Sequence, residues 1–184
     1  FVACADTFGI HPELARYATP EVMFATIHAE FFSELDGATF VLLAPVIFET
    51  YNIIYTPAAN DDELSSGPVQ LTEKTFLGYK DDGGMASRYG EKLEKAKKQG
   101  FFTNIVLPKK VDNTYPDQEV ANAMVLHPES VLFWSQLSIL YHMNAGFNLL
   151  MKDPSFKKIW EQGSDEERLQ FVAAFSPLAN NGGV

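Results

Sequence analysis

Ser130-Val-Leu-Phe-Trp-Ser-Gln-Leu-Ser-Ile-Leu-Tyr-His-Met-Asn-Ala-Gly-Phe-Asn-Leu-Leu-Met151 runs without one formal charge in a chain that is 21% charged. A stretch of this length is about what a helix needs to cross a bilayer, roughly 20 residues. It also suits the central helix of a helical domain, surrounded on all sides. His127-Pro128-Glu129 opens it as a helix, with proline at the first position and a carboxylate in the first turn. Lys152-Asp153-Pro154 closes it. The polar residues Gln136, His142, Asn144 and Asn148 weigh against a bare, lipid-bathed helix. Such groups inside a membrane face protein or ligand.

Working outward, the other long apolar segment is Gly37 to Tyr55, interrupted by Pro45, Glu49 and Asn52. Proline inside a helix removes a hydrogen bond and clashes with the preceding turn, so the segment is expected to kink at Pro45. The fold expected is mainly α: an irregular helical domain with long loops. Two long apolar helices, about 37–55 and 128–151, stand at its centre or in a membrane. Residues 1–184 are expected to form a single domain, with long loops over 58–84 and 107–116.

Shorter elements follow from local signals. Pro12 to Tyr17 is expected to be a short helix after the Gly9-Ile10-His11-Pro12 turn. Thr19-Pro20-Glu21 starts a helix that runs to Asp36 and stops at Gly37. Turn clusters occur at 60–62, 65–68 and 81–84, with a short element between Val69 and Tyr79. Ala86 to Gln99 is an exposed helix closed by Gly100, laced by Glu91–Lys95 and Glu94–Lys98 pairs. Phe101 to Val106 suits a short strand, and Asp117 to Leu126 a helix. Pro154 to Gln162 is a helix stopped by Gly163. Ser164 and Glu167 form a capping box, opening a last helix expected to end at Phe175, before Ser176-Pro177.

The chain has 14 basic and 24 acidic residues, a formal net charge of −10. An acidic surface argues against nucleic acid as a partner, since phosphates need cations. The single cysteine, Cys4, excludes an intrachain disulfide and a cysteine-rich zinc site. Hydrolase, phosphate-loop and dinucleotide motifs are absent. That weighs against a conventional enzyme and for a subunit that works with other protein subunits.

Four residues are the candidates for holding a cofactor: His142, His28, Ser138 and Gly146. On a helix, Val131, Ser135, Ser138, His142, Ala145, Gly146 and Leu149 share a face. Small residues around one histidine allow close approach by another helix. They equally admit a planar cofactor whose metal takes the imidazole nitrogen, a haem or a chlorophyll-type pigment. The plain alternative is a core histidine bonded to a carbonyl. His28 sits among Phe24, Ile27, Phe31 and Phe32, which gives the same two readings. A metal site assembled from His28, Glu49, His127 and His142 is the third candidate, without the Glu-x-x-His spacing of di-metal bundles.

Ile27-His28-Ala29 resembles the first membrane helix of light-harvesting chlorophyll proteins over those three residues. That family's pattern has a glutamate shortly before the histidine and an arginine two after it. Here Thr26 or earlier apolar residues and Glu30 stand in those places, so the interhelical lock is missing and the family is not assigned. The function expected is a non-catalytic accessory subunit of a larger, membrane-associated complex in an organelle or cell membrane, contacting a planar pigment or lipid. The alternative is a soluble helical protein that binds haem or another apolar ligand.

Overall fold

The computed structural model describes residues 2–17, 19, 22, 26, 56–57, 64–66, 71–77, 84–116, 119–120, 123 and 126–182. They are mainly helical. A 3₁₀ turn, Val2–Cys4, leads into α1 (Ala5–Phe8) and α2 (Pro12–Tyr17). Three short strands follow: β1 (Thr56–Pro57), β2 (Leu64–Ser66) and β3 (Leu71–Thr72). Then come α3 (Glu73–Leu77), α4 (Met85–Lys98), α5 (Pro128–Leu150), α6 (Pro154–Gln162) and α7 (Asp165–Gly182). The expected helices at 12–17, 86–99, 128–151 and 154–162 are thus present within a residue or so. The apolar segment 37–55, and most of the helix expected from Thr19 to Asp36, lie outside the described residues.

Helix α5 decides the architecture. Leu137, Ser138, Ile139 and Leu140 are consecutive and all buried. Successive helical residues point about 100° apart, so four in a row cover the whole circumference. Buried all round at these four positions, the helix has no place for charge there, which accounts for the middle of the uncharged run; toward its C-terminal end Asn148 and Leu149 are exposed. Among the described residues no helix is long and apolar enough to cross a membrane. The membrane-span reading of residues 128–151 is therefore corrected: length qualified, but Gln136, His142, Asn144 and Asn148 lower its hydropathy.

The chain divides into two compact units, residues 1–37 with 139–184, and residues 38–138. Helix α5 contributes to both. In the unit of residues 38–138, β1, β2 and β3 form a three-stranded antiparallel sheet, with Thr56 opposite Ser65 and Ser66 opposite Leu71. Ser65-Ser66, expected as a turn, is therefore strand, and the loop expected over 58–84 holds β2, β3 and α3. Trp134 and Phe76 are fully buried here, their rings edge to face at 5.0 Å.

Phe101 to Val106 is not the strand expected. At its end, Val106 is bonded by side chains of α5 instead of a neighbouring strand, while the N–H groups of Phe101 and Ile105 reach the Ala96 and Phe102 carbonyls. The Val106 N–H donates to Ser130 Oγ at 2.7 Å, and Trp134 Nε1–H donates to the Val106 carbonyl at 3.1 Å. Phe102 has a positive φ of 55°, which no strand accommodates. Helix α4 ends as expected: Gly100, at φ 88°, takes the left-handed conformation, and its N–H reaches the Lys97 carbonyl.

In the other unit, the N-terminal turn is tied to α5 by Asn144. The Asn144 Nδ2–H donates to the Gly9 carbonyl at 3.1 Å, and its Oδ1 accepts the His11 N–H at 2.7 Å. Gly9 sits at φ 70°, a left-handed cap that closes α1 and favours glycine. An aromatic pile joins Phe147 of α5, Phe156 and Trp160 of α6, and Phe171 of α7. Full burial of a large apolar side chain contributes about 1.5–3 kcal/mol; Phe147 and Trp160 are buried, Phe156 and Phe171 half-buried.

Asp153 caps α6, accepting the N–H groups of Ser155 and Phe156, and the Ser164–Glu167 capping box opens α7. Helix α7 runs through Pro177 to Gly182, past the end expected at Phe175. Val172, Ser176 and Ala179 are buried along one face, and Ser176 hydrogen-bonds Thr26. Tertiary packing outweighs the proline penalty.

Candidate functional site

The helix that carries Ser138, His142 and Gly146 places them at i, i+4 and i+8, the same-face spacing read from the sequence. Ser138 is buried. Ser135, a turn earlier, is buried too, and its hydroxyl oxygen has no hydrogen-bond partner among the described residues. Both belong to the unit of residues 38–138.

His142 and Gly146 belong to the other unit. The His142 ring is half-buried, lies edge-on to Tyr141 at 5.2 Å, and its Nδ1 is buried without a partner among the described residues. Burial pushes the His142 pKa below its ordinary value, because the charged form is the one desolvation penalises. At neutral pH the ring is therefore the neutral imidazole, the form that binds metal. Nothing among the described residues bonds Nδ1 to a carbonyl, the arrangement a plain core histidine was expected to have.

One turn on, Gly146 does provide a close approach. A Cβ built there would lie 2.7 Å from Cζ of Phe175. The space that glycine opens is filled by the ring of Phe175, which stacks on Phe171 at 5.5 Å. The small residue thus serves the packing of α5 against α7. The other candidates are not brought together with these. His28 and Glu49 lie outside the described residues. His127 is exposed at the start of α5. Among the described residues no group of three or more His, Cys, Asp or Glu side chains could hold a metal ion.

A second polar cluster escaped the sequence reading. The Tyr17 hydroxyl donates to Asp165 Oδ1 at 2.6 Å, and Arg16 donates to Asp165 Oδ2 at 3.0 Å. Arg168 donates to the Tyr17 hydroxyl oxygen and to the carbonyls of Trp160 and Glu161. The hydrogen bond from Tyr17, then the guanidiniums of Arg16 and Arg168, hold the Asp165 carboxyl below its usual range. Arg168 thereby caps the end of α6 while α7 is held beside α2. These partners are about 150 residues apart, so no local pattern announces them.

Comparison with protein-family models, with curated proteins and with solved structures gives no match to this chain.

Proposed function

We propose that the chain is a non-catalytic accessory subunit of a larger, membrane-associated complex, held there through other protein subunits. The observation that carries this reading is apolar exposure on the C-terminal helices. Ile159 of α6 is 68% exposed and Leu178 of α7 is 70% exposed, with Leu149 of α5 at 60%. Single exposed apolar residues are ordinary. Three on successive helices of one unit suit burial against a partner chain, which removes their apolar surface from water. The decisive experiment is gentle purification of the native protein followed by size-exclusion chromatography with light scattering. The reading expects a mass well above 20.5 kDa from a mixed complex, and release of the chain by Ile159→Glu with Leu178→Glu. A monodisperse monomer from the native source would overturn it.

A second reading rests on a different observation, the neutral, unpartnered Nδ1 edge of His142. A planar metal-containing pigment or haem needs one axial nitrogen from the protein. The absorption spectrum of the native protein tests this. A visible band lost in His142→Gln supports it, and a colourless protein that takes up no added haem removes it.

A further inference from the structure

Helix α4 buries Met85, Tyr89, Leu93 and Ala96 and leaves Glu91, Glu94, Lys95 and Lys98 exposed on the side away from them. At about 100° per residue these four charges fall within an arc of about 100°, one face of the helix. All four line a single groove of about 460 Å³, bordered by Leu107 and Tyr115. The groove lies wholly within the unit of residues 38–138. Among the described residues the i,i+4 pairs that the spacing offers, Glu91–Lys95 and Glu94–Lys98, do not form. Glu94 pairs with Lys97 instead, at 3.4 Å, and Glu91, Lys95 and Lys98 have no ion pair there.

The order of these charges restricts what can cover them. Along the helix two carboxylates come first and two ammoniums follow, evenly spaced about the midpoint between Glu94 and Lys95. That midpoint is also the centre of the exposed arc. A two-fold axis through it, perpendicular to α4, sets a second copy of the helix antiparallel to the first. Glu91 then faces Lys98 of the second copy and Glu94 faces its Lys95, and the symmetry repeats both pairs. Each of the four charges meets its opposite. A parallel pairing would set like charges against each other.

We propose that the exposed face of α4 is the contact of an antiparallel homodimer of this chain, with Glu91 paired to Lys98 and Glu94 to Lys95 across the two-fold axis. Exposed ion pairs are individually weak, so the charges fix the register of a dimer that dissociates on dilution. The face uses none of Leu149, Ile159 and Leu178 and does not depend on the accessory-subunit reading.

The test uses the full chain produced by itself, followed by sedimentation velocity over a concentration series. Sodium chloride at about 0.1 M screens repulsion between the acidic chains beyond about 10 Å. Wild type should move from 20.5 kDa toward twice that mass as concentration rises. Glu91→Lys alone opposes two ammoniums at both symmetry-related contacts, and Lys98→Glu alone opposes two carboxylates. Each should weaken self-association about tenfold, the loss of two exposed pairs. An equimolar mixture of the two variants should associate as wild type does, because opposite charges then face each other across the axis. The double variant Glu91→Lys, Lys98→Glu should do so with itself. All four positions are exposed, so the variants should keep the wild-type circular dichroism spectrum. A wild-type chain that stays at 20.5 kDa throughout the series overturns the proposal. So do single variants that associate as wild type does, or a mixture that fails to recover.

Discussion

His142 couples the candidate site to pH. Its pKa is lowered by burial in the folded chain, while the unfolded chain titrates near the ordinary value of about 6.5. Between these two values the unfolded state binds the proton and the folded state does not, so stability falls as pH falls. Above about 6.5 the contribution is intact. Below the folded pKa both states are protonated and the loss levels off. In thermal unfolding from neutral to acidic pH, wild type should lose more stability than His142→Gln; equal losses would show that the imidazole is not held neutral. Gly146 poses a contest of a different kind. Alanine gains up to about 1 kcal/mol in helix propensity, but its Cβ collides with Phe175, and overpacking costs about 1–3 kcal/mol. Gly146→Ala should therefore destabilise by about 1 kcal/mol, and the same change in a Phe175→Leu background should be neutral or stabilising. Additive effects in that denaturation cycle would refute the contact. The sequence carried the helical register of His142 and Gly146, because i+4 spacing is local. It could not show that Phe175 occupies the glycine's space or that Nδ1 lacks a partner, because both depend on what the fold brings alongside.

At the scale of elements, signals that act within a turn were legible. The helix expected over Pro154 to Gln162, with its stop at Gly163, is α6, and the Ser164–Glu167 box opens α7; the Asp153 cap of α6 came only with the structure. Signals that compete with packing misled. Ser176-Pro177 has the local form of a helix stop, yet α7 continues because Val172, Ser176 and Ala179 are buried on one face. Phe101 to Val106 has the composition of a strand, yet Ser130 and Trp134 take the backbone groups of Val106, and Phe101 and Ile105 bond to the Ala96 and Phe102 carbonyls. Two measurements separate these cases. Asp153→Ala should lower stability by about 1 kcal/mol with an unchanged denaturant slope, the usual loss of a cap. Pro177→Ala restores a backbone donor and relieves a clash worth about 3 kcal/mol, less up to about 1 kcal/mol for the freer unfolded chain. A net gain of about 2 kcal/mol is expected. A loss of stability would mean that Pro177 is accommodated without strain in α7.

At the scale of the molecule, charge decides between two opposing effects. The chain carries 24 acidic and 14 basic residues, a net −10, so its compact state repels itself. Against this stand ion pairs such as Arg16–Asp165 at 3.0 Å and Lys157–Glu161 at 3.8 Å, all with at least one largely exposed partner. Exposed pairs of this kind are worth about 0–1 kcal/mol each. Salt weakens both terms, and the sign of its effect shows which is larger. Raising sodium chloride from about 0.01 M to about 0.1 M shortens the screening length from about 30 Å to about 10 Å. That range removes long-range repulsion across the chain while sparing much of a contact at 3–4 Å. The melting temperature should therefore rise with salt at neutral pH. Asp165→Asn removes one negative charge along with its pairing to Arg16, Arg168 and Tyr17, and should melt lower at either salt concentration while keeping most of the rise. If wild type instead melts lower in salt and Asp165→Asn does not, the Tyr17–Asp165–Arg168 network outweighs the net charge. The acidic excess would then cost the fold little.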